Sequence, residues 1–174
     1  MPRADTWEME STSPPPVILV DIDGTCSPMC RSDLLPSQWS PWTRSHFGWN
    51  KGWTSTALGA ALQQLGRVAD VRWCTGWEAE AAGYGAALGL DVPWVPLGAG
   101  GAGRMWKLSA VDKSLPDQPV WWIDDEHDES SHRWAADREA RGVATTVVAC
   151  DPNVGVTADD VADATRWVED LVRR

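Results

Sequence analysis

The sequence predicts an α/β fold, in which helices cover both faces of a central, mainly parallel sheet of five strands. Apolar runs of strand length, rich in Val, Ile and Trp, alternate along the chain with longer helical stretches. Each strand and its following helix take about 25–35 residues, which is typical of parallel strands joined by crossover helices. These observations indicate a three-layer, Rossmann-like sandwich. The predicted strands are 17–20, 70–74, 92–95, 119–123 and 143–149.

Helices are predicted between these strands and near the end of the chain. Gly142 is well placed to end the fourth helix, because glycine accepts the left-handed conformation that often follows a helix C-terminus. Thr157 and Asp160 resemble a capping box at the start of the last helix, with Asp in place of the usual Glu. The predicted helices are 54–66, 77–88, 105–113, 130–141 and 158–172.

The length and composition are those of one domain of ordinary size. The chain has 174 residues, of which 43% are hydrophobic, so it can bury a core. We expect residues 1–16, which end in three prolines, to form a disordered or loosely packed tail, and residues 17–174 to form a single domain. The tail lacks the apolar segment of a secretory signal, and no apolar run reaches the ~20 residues that a membrane-spanning helix needs. We therefore expect a cytoplasmic protein with no membrane partner.

Charge and unusual residues narrow the classes of function. The net charge of -10 argues against a broad basic surface for nucleic acid, although a bound cation and a local basic rim would still admit a nucleic-acid substrate. The four cysteines form no CxxC pair, which argues against a zinc site. Thirteen tryptophans fill most aromatic positions, and those in predicted strands and helices are expected to pack in the core. Four other tryptophans lie between the first predicted strand and the first predicted helix, in a segment without clear periodicity: Trp39, Trp42, Trp49 and Trp53.

Carboxylate and hydroxyl side chains follow three of the predicted strands at the point where each strand ends. Asp21 and Asp23 follow the first strand, Thr75 follows the second, and Asp124 and Asp125 follow the fourth. Because ligands of parallel sheets bind outside the carboxyl ends of the strands, we expect these side chains to share one rim. Isolated buried carboxylates are costly, so such a cluster indicates a bound cation or chemistry. Hard oxygen ligands of this kind suit Mg²⁺.

Four segments, in this order along the chain, resemble the motifs of the haloacid dehalogenase-like (HAD) superfamily of aspartate-nucleophile phosphatases. They are Asp21-Ile22-Asp23-Gly24-Thr25, the Thr75 that ends Trp73-Cys74-Thr75, Lys107, and Asp124-Asp125. The resemblance implies that Asp21 is the nucleophile and a metal ligand. It implies that Asp23 is the general acid and base, and that its backbone carbonyl also binds the metal. An acid at this position fits a phosphatase better than a dehalogenase or a transport ATPase.

The resemblance also implies roles for the remaining motifs. The Thr75 hydroxyl and the Gly76 amide would hold the transferring phosphoryl group. Lys107 would balance the clustered negative charge. One of Asp124 and Asp125 would bind Mg²⁺ directly and the other would hold its waters, with Asp124 the first candidate for direct ligation.

The resemblance further implies a capless enzyme or one with a minimal cap. The segment 26–53 is too short for a full cap domain and is expected to act as a flap. An open site suits a large substrate, such as a nucleic-acid end or a phosphoprotein. A narrower resemblance, to the HAD domain linked to bacterial RNA-repair proteins, rests on segments such as Trp73-Cys74-Thr75-Gly76-Trp77-Glu78 and Asp151-Pro152-Asn153-Val154-Gly155-Val156-Thr157.

Two alternatives to an open-site phosphatase remain, a small-metabolite or nucleotide phosphatase and a non-catalytic interaction module of the same fold. No stable protein partner can be inferred from the sequence. Residues 34–53 directly follow the nucleophile loop, so we expect them to border the mouth of the site. We expect at least one of their four tryptophans to stack on a flat group of the substrate, the alternative being that all four pack the flap onto the domain.

Overall fold

The computed structural model describes residues 14–98 and 105–173. The expected tail therefore lies outside the described residues, except for the last three prolines. The glycine-rich residues 99–104 also lie outside them. In chain order the elements are β1 (Val17–Val20), β2 (Thr43–Phe47), β3 (Asn50–Thr54), α1 (Thr56–Leu65), β4 (Asp70–Trp73), α2 (Ala81–Leu88), α3 (Met105–Ser114), β5 (Val120–Asp124), α4 (Glu129–Ala140), β6 (Thr145–Ala149) and α5 (Ala158–Val172).

The central sheet is parallel and has four strands, in the order β4-β1-β5-β6. The prediction of a fifth strand at 92–95 is wrong. This segment makes only an isolated bridge between Trp94 and Trp73, through two backbone hydrogen bonds. Pro93 has no N–H to donate, so the ladder cannot extend toward residue 92, and the Leu97 amide donates to Oε1 of Glu78 instead of to β4.

Two apolar clusters lie on opposite faces of the sheet and confirm three layers. Side chains alternate along β1, with Ile18 and Val20 in one cluster and Val17 and Leu19 in the other. The first cluster includes residues of α1, α2 and α5, and the second includes residues of α3 and α4. The strand tryptophans are buried as expected: Trp73, Trp121 and Trp122.

The five α-helices match the predicted ones, although the second begins later, after a 3-10 turn at Glu78–Glu80. At the start of α5, the Thr157 hydroxyl accepts a hydrogen bond from the Asp160 amide, and the Asp160 carboxylate accepts one from the Thr157 amide. The predicted capping box is thereby confirmed. Among the described residues, no helix combines the length and the apolar character needed to cross a membrane.

A hairpin formed by β2 and β3 is the main element that the sequence did not predict. Its two antiparallel strands are joined at Gly48 and Trp49. The ring of Phe47 packs against Trp77 and Tyr84, and the Tyr84 hydroxyl donates a hydrogen bond to the Trp53 carbonyl. These contacts hold the hairpin against α2, at the end of the sheet where β1 and β4 terminate.

Candidate active site

The carboxyl ends of β1 and β5 bring two buried carboxylates side by side. Val20 pairs with Ile123, so the next residues along the two strands, Asp21 and Asp124, are neighbours. Their exposed fractions are only 4% and 1%. Asp125, which is half-buried, completes a group in which one carboxylate oxygen from each residue lies within 4.8 Å of the others. The structure thus brings together three of the predicted metal-binding side chains.

Lys107 enters this acidic group from the first turn of α3. Its Nζ lies 2.8 Å from Oδ2 of Asp124 and 3.3 Å from Oδ1 of Asp21, and Oε2 of Glu126 lies 4.0 Å away. Burial by itself would lower the pKa of Lys107, but the carboxylates of Asp21 and Asp124 outweigh burial and hold the pKa above its ordinary value. Lys107 is therefore a permanent cation at the centre of the site.

One ammonium group does not neutralise three carboxylates. Burial, followed by the charge of Asp124, raises the pKa of Asp21 to about 8 despite the opposing effect of Lys107. Burial and the charges of Asp124 and Glu126 raise the pKa of Asp125 to about 6. The site consequently holds more negative charge than its own cation balances, and a further cation would relieve this excess.

The donor set fits a magnesium ion. The carboxylate oxygens of Asp21, Asp124 and Asp125 lie within 4.8 Å of one another, close to the separations of about 3–4 Å that octahedral bonds of 2.0–2.1 Å impose. Hard carboxylate oxygens beside an open, solvent-filled cleft match the preference of Mg²⁺ for few protein ligands and several waters. These residues could hold the predicted ion, although nothing in the structure identifies a metal.

The turn after β1 fixes the position of Asp125. Gly24 has a φ of +69°, which glycine adopts readily, and a Cβ atom at this residue would lie 2.5 Å from Cγ of Asp125. The amide of Asp125 also donates a hydrogen bond to Oγ1 of Thr25, with an N–O distance of 3.2 Å. The Asp-Gly-Thr turn therefore not only reverses the chain but also fixes the position of the Asp125 carboxylate.

Asp23 has a different environment from Asp21. Its carboxylate lies outside the group of three and accepts a hydrogen bond of 2.7 Å from the indole N–H of Trp77. Trp77 is buried against Phe47 and Tyr84, so the donor is held in place. The predicted contact of the Asp23 backbone carbonyl with a metal stays a prediction. Sequence reasoning missed the role of Trp77, although its position two residues after Thr75 at the same strand end was a usable signal.

Thr75 and Gly76 line the same cleft as the carboxylates. Thr75 is buried, and its hydroxyl accepts a hydrogen bond of 3.4 Å from the Trp77 amide. Gly76 lies beneath the ring of Trp106, which a Cβ atom would approach to 3.8 Å. The cleft has a volume of about 390 Å³ and is lined by Asp21, Asp23, Met29, Asn50, Thr75, Gly76, Trp77, Trp106, Lys107, Asp125 and Glu126. Every predicted site residue except Asp124 thus faces it, and Asp124 lies directly behind.

The segment 34–53 reaches the site through the hairpin. Asn50, at the start of β3, lines the cleft and donates a hydrogen bond to Glu80. Among the four tryptophans of the segment, Trp39 is buried, with its indole N–H bonded to the Val156 carbonyl at 2.7 Å, and therefore packs the segment onto the domain. Trp49, at the hairpin turn, is 98% exposed. Trp39 therefore packs in the domain, whereas Trp49 lies on the open surface.

A scan against protein-family models, a search of curated proteins and a search of solved structures each match nothing. The chemistry of the site consequently follows from its own geometry. That geometry combines a buried carboxylate beside a fixed ammonium group, a second carboxylate held by an indole, and a hydroxyl at an open cleft.

Proposed function

We propose that the protein is a Mg²⁺-dependent phosphomonoesterase that acts through an aspartyl-phosphate on Asp21. The observation that carries this proposal is the contrast between two carboxylates at one cleft. Asp21 is buried beside Lys107 and two further carboxylates, whereas Asp23 is held outside that group by Trp77. A nucleophile and a separate proton carrier are what two-step phosphoester hydrolysis requires. The order of motifs that resembles the HAD superfamily supports the same function.

In the first step, an Asp21 carboxylate oxygen attacks phosphorus and the ester P–O bond breaks. Asp23 gives its proton to the departing alcohol oxygen, so that the alcohol leaves neutral. Lys107 and the Thr75 hydroxyl bind the phosphoryl oxygens as charge develops on them, and the Gly76 amide is placed to assist. When bound, Mg²⁺ supplies positive charge that favours the ionised form of Asp21 and attracts the phosphate.

In the second step, the Asp23 carboxylate takes a proton from water, and the water oxygen attacks phosphorus. The bond between phosphorus and Asp21 breaks, inorganic phosphate leaves, and Asp21 returns to its carboxylate form. Asp23 ends the cycle protonated, as the first step requires. Each residue is thereby restored, and the alcohol and phosphate account for all atoms of the ester and the water.

The open side of the cleft favours a large substrate. Within the described residues, the hairpin reaches the cleft at Asn50, and a broad opening remains beside it. We therefore propose a nucleic-acid end or a phosphoprotein as the substrate class, with small phosphorylated metabolites as the alternative.

The proposal is tested by phosphate release from an aryl phosphate and from a panel of nucleotides, sugar phosphates and phosphorylated oligonucleotides, with and without Mg²⁺. We expect release only with Mg²⁺, and none from Asp21→Asn, whose amide keeps the shape but is not a competent nucleophile. The matched control is Asp91→Asn, which removes the charge of an exposed aspartate and should retain full activity. More than a few per cent of activity in Asp21→Asn would remove Asp21 from the role of nucleophile. A wild type inactive on the whole panel would favour a non-catalytic interaction module.

A further inference from the structure

A second pocket adjoins the cleft on the side of Asp23. It has a volume of about 240 Å³ and is formed by the loop after β1 and by the hairpin. Asp23 and Met29 line both the cleft and this pocket, so the two share a wall. The hairpin contributes Arg44, Lys51 and Trp53 to the lining of the second pocket.

The hairpin presents its cations on one face. Arg44 is opposite Trp53 in the antiparallel register, and His46 is opposite Lys51, so these four side chains lie on the same face. The other face packs on the domain, since a Cβ atom at Gly52 would meet Ser27 at 2.9 Å. Arg44, His46 and Lys51 are exposed on the first face.

This face carries positive charge, whereas the protein as a whole is strongly negative. Residues 34–69 contain no Asp or Glu, although the whole chain has a net charge of -10. Among the described residues, neither Arg44 nor Lys51 forms an ion pair with a carboxylate. The guanidinium carbon of Arg44 lies 5.0 Å from the centre of the Trp53 ring, a cation–π contact that positions the group beside the second pocket.

We propose that this second pocket binds the phosphate next to the scissile one, at the phosphorylated end of an oligonucleotide. The inference rests on the proposed function, because the general acid stands where the leaving alcohol departs, and Asp23 is on the wall that the two pockets share. The leaving group of the reaction therefore extends from Asp23 toward Arg44 and Lys51. Guanidinium and ammonium groups are the side chains that bind phosphate oxygens best.

Two features of the hairpin favour an oligonucleotide over a phosphopeptide. An oligonucleotide carries a negative charge at every nucleotide, which matches several cations on one face, whereas a phosphopeptide with one phosphate leaves the second pocket without a charged partner. Trp49, at the hairpin turn, is 98% exposed and offers a ring on which a base can stack.

The test measures binding separately from turnover. Fluorescence anisotropy would follow short single-stranded oligonucleotides, phosphorylated at the 5′ or at the 3′ end and labelled at the other end, as they bind to Asp21→Asn protein in Mg²⁺. We expect the double variant Arg44→Gln/Lys51→Gln, made in that background, to bind at least about tenfold more weakly than its parent. We also expect the slope of log affinity against log salt to become shallower by about 0.7, because the pocket no longer neutralises its one phosphate.

The matched control is Arg67→Gln, which removes an exposed cation of the same acid-free segment at the opposite end of the sheet, before β4 begins. It should leave affinity and salt slope unchanged. Unchanged binding of both oligonucleotides by the double variant would overturn the proposal, as would an equal loss in Arg67→Gln. A loss of binding to a phosphoserine peptide, without a loss for either oligonucleotide, would also overturn it.

Turnover by otherwise wild-type protein adds a second readout. In the double variant, the ratio of kcat/KM for the preferred oligonucleotide to kcat/KM for an aryl phosphate should fall at least about tenfold, while Arg67→Gln keeps the ratio. If the wild type hydrolyses no phosphoester at all, the proposed function fails and the binding arm still decides whether the pocket takes a phosphate. The two failures are thereby distinguished.

Discussion

Two buried cations lie at opposite ends of β5 in environments that differ in almost every respect. Arg138 of α4 is fully buried, and its guanidinium makes five hydrogen bonds, to a threonine hydroxyl, one aspartate and three backbone carbonyls. Lys107 is also buried, but its ammonium group faces carboxylates and borders an open cleft. Arg138 is thus saturated by its neighbours, whereas the surroundings of Lys107 carry excess negative charge.

The difference separates a structural cation from a functional one. A saturated cation in a closed pocket has nothing left to offer a ligand, and its removal exposes neighbours that cannot find other partners. A cation among too many carboxylates, at the edge of a cleft, is arranged for a second charged species to enter. Stability should therefore depend more on Arg138, and activity more on Lys107.

Arg138→Met should produce the largest effect, a loss of about 3–5 kcal/mol in the free energy of unfolding. The loss arises because the carbonyls of Leu115 and Gln118 are left without their donor, and Asp112 keeps only its contact with Arg141. Urea denaturation measures it. Arg141→Met is the matched control, because the exposed Arg141 also contacts Asp112, at 3.4 Å, and should contribute less than about 1 kcal/mol. Equal losses in the two variants would contradict the structural role of Arg138.

Lys107→Met should lower kcat/KM for an aryl phosphate by about 10²–10³-fold, because the phosphoryl group loses a preorganised charge. Lys113→Met, on the exposed side of the same helix, should change kcat/KM little. Rates are to be normalised to folded protein from the denaturation curves. A loss of less than about threefold in Lys107→Met would show that the ammonium group is only a structural partner of Asp21 and Asp124.

Mg²⁺ should stabilise the protein more at pH 8 than at pH 5. Burial and Asp124 raise the pKa of Asp21 from 3.8 to about 8 in the folded chain. Between these values the folded chain retains a proton that the unfolded chain releases, so without metal this group makes the free energy of unfolding fall as pH rises. Mg²⁺ must displace that proton in nearly every molecule at pH 5, whereas at pH 8 about half of the molecules have already lost it.

Thermal melting with and without the ion measures this gain, which is about 2.7 kcal/mol when Mg²⁺ exceeds its Kd a hundredfold. Sodium chloride at equal ionic strength is the control. Asp124→Ala should abolish most of the gain, because it removes one of the three carboxylates. A melting temperature that does not respond to millimolar Mg²⁺ would contradict the metal site.

Trp77→Phe should produce the smallest effect, a fall in kcat of about tenfold with KM nearly unchanged. The phenyl ring preserves most of the packing but removes the hydrogen bond that positions Asp23, and a hydrogen bond contributes about 0.5–1.5 kcal/mol, the upper end of which is about tenfold in rate. Trp134→Phe is the control, since the buried indole N–H of Trp134 has no hydrogen-bond partner among the described residues. A change in KM alone would indicate that Trp77 shapes the cleft without positioning the proton carrier.

The sequence predicted the sheet well where burial is complete. The strands β1, β4, β5 and β6 were placed to within two residues. The central strands β1 and β5 are fully buried, mainly apolar runs, whereas the edge strand β4 alternates the polar Asp70 and Arg72 with the buried Val71 and Trp73. The carboxylates and Thr75 could be placed at one rim because the ends of these strands were predicted. The segment 92–95 is equally apolar, but Pro93 within it cannot donate to a ladder, and the segment forms no strand. Apolar character alone could not distinguish the two cases.

Other parts of the site depend on contacts between distant segments. Only the resemblance to known motifs pointed to Lys107, because nothing in its local sequence shows that α3 directs it toward Asp124. The bond between Trp77 and Asp23 joins residues 54 positions apart. The hairpin mixes polar and aromatic residues without clean alternation, although Gly48 followed by one residue between two such runs is typical of a tight two-residue turn.

The strand order has a consequence for the synthesis of the protein. β1 is made first but pairs on both sides with strands that emerge much later, β4 on one side and β5 on the other. Until residue 124 has left the ribosome, the apolar strand β1 has at least one unpaired edge, which is a hazard for aggregation. The prolines at 14–16 immediately before it cannot donate to a ladder and thus limit the length of that exposed edge. A nascent chain that stops before β5 holds Asp21 without Asp124 and therefore has no competent site.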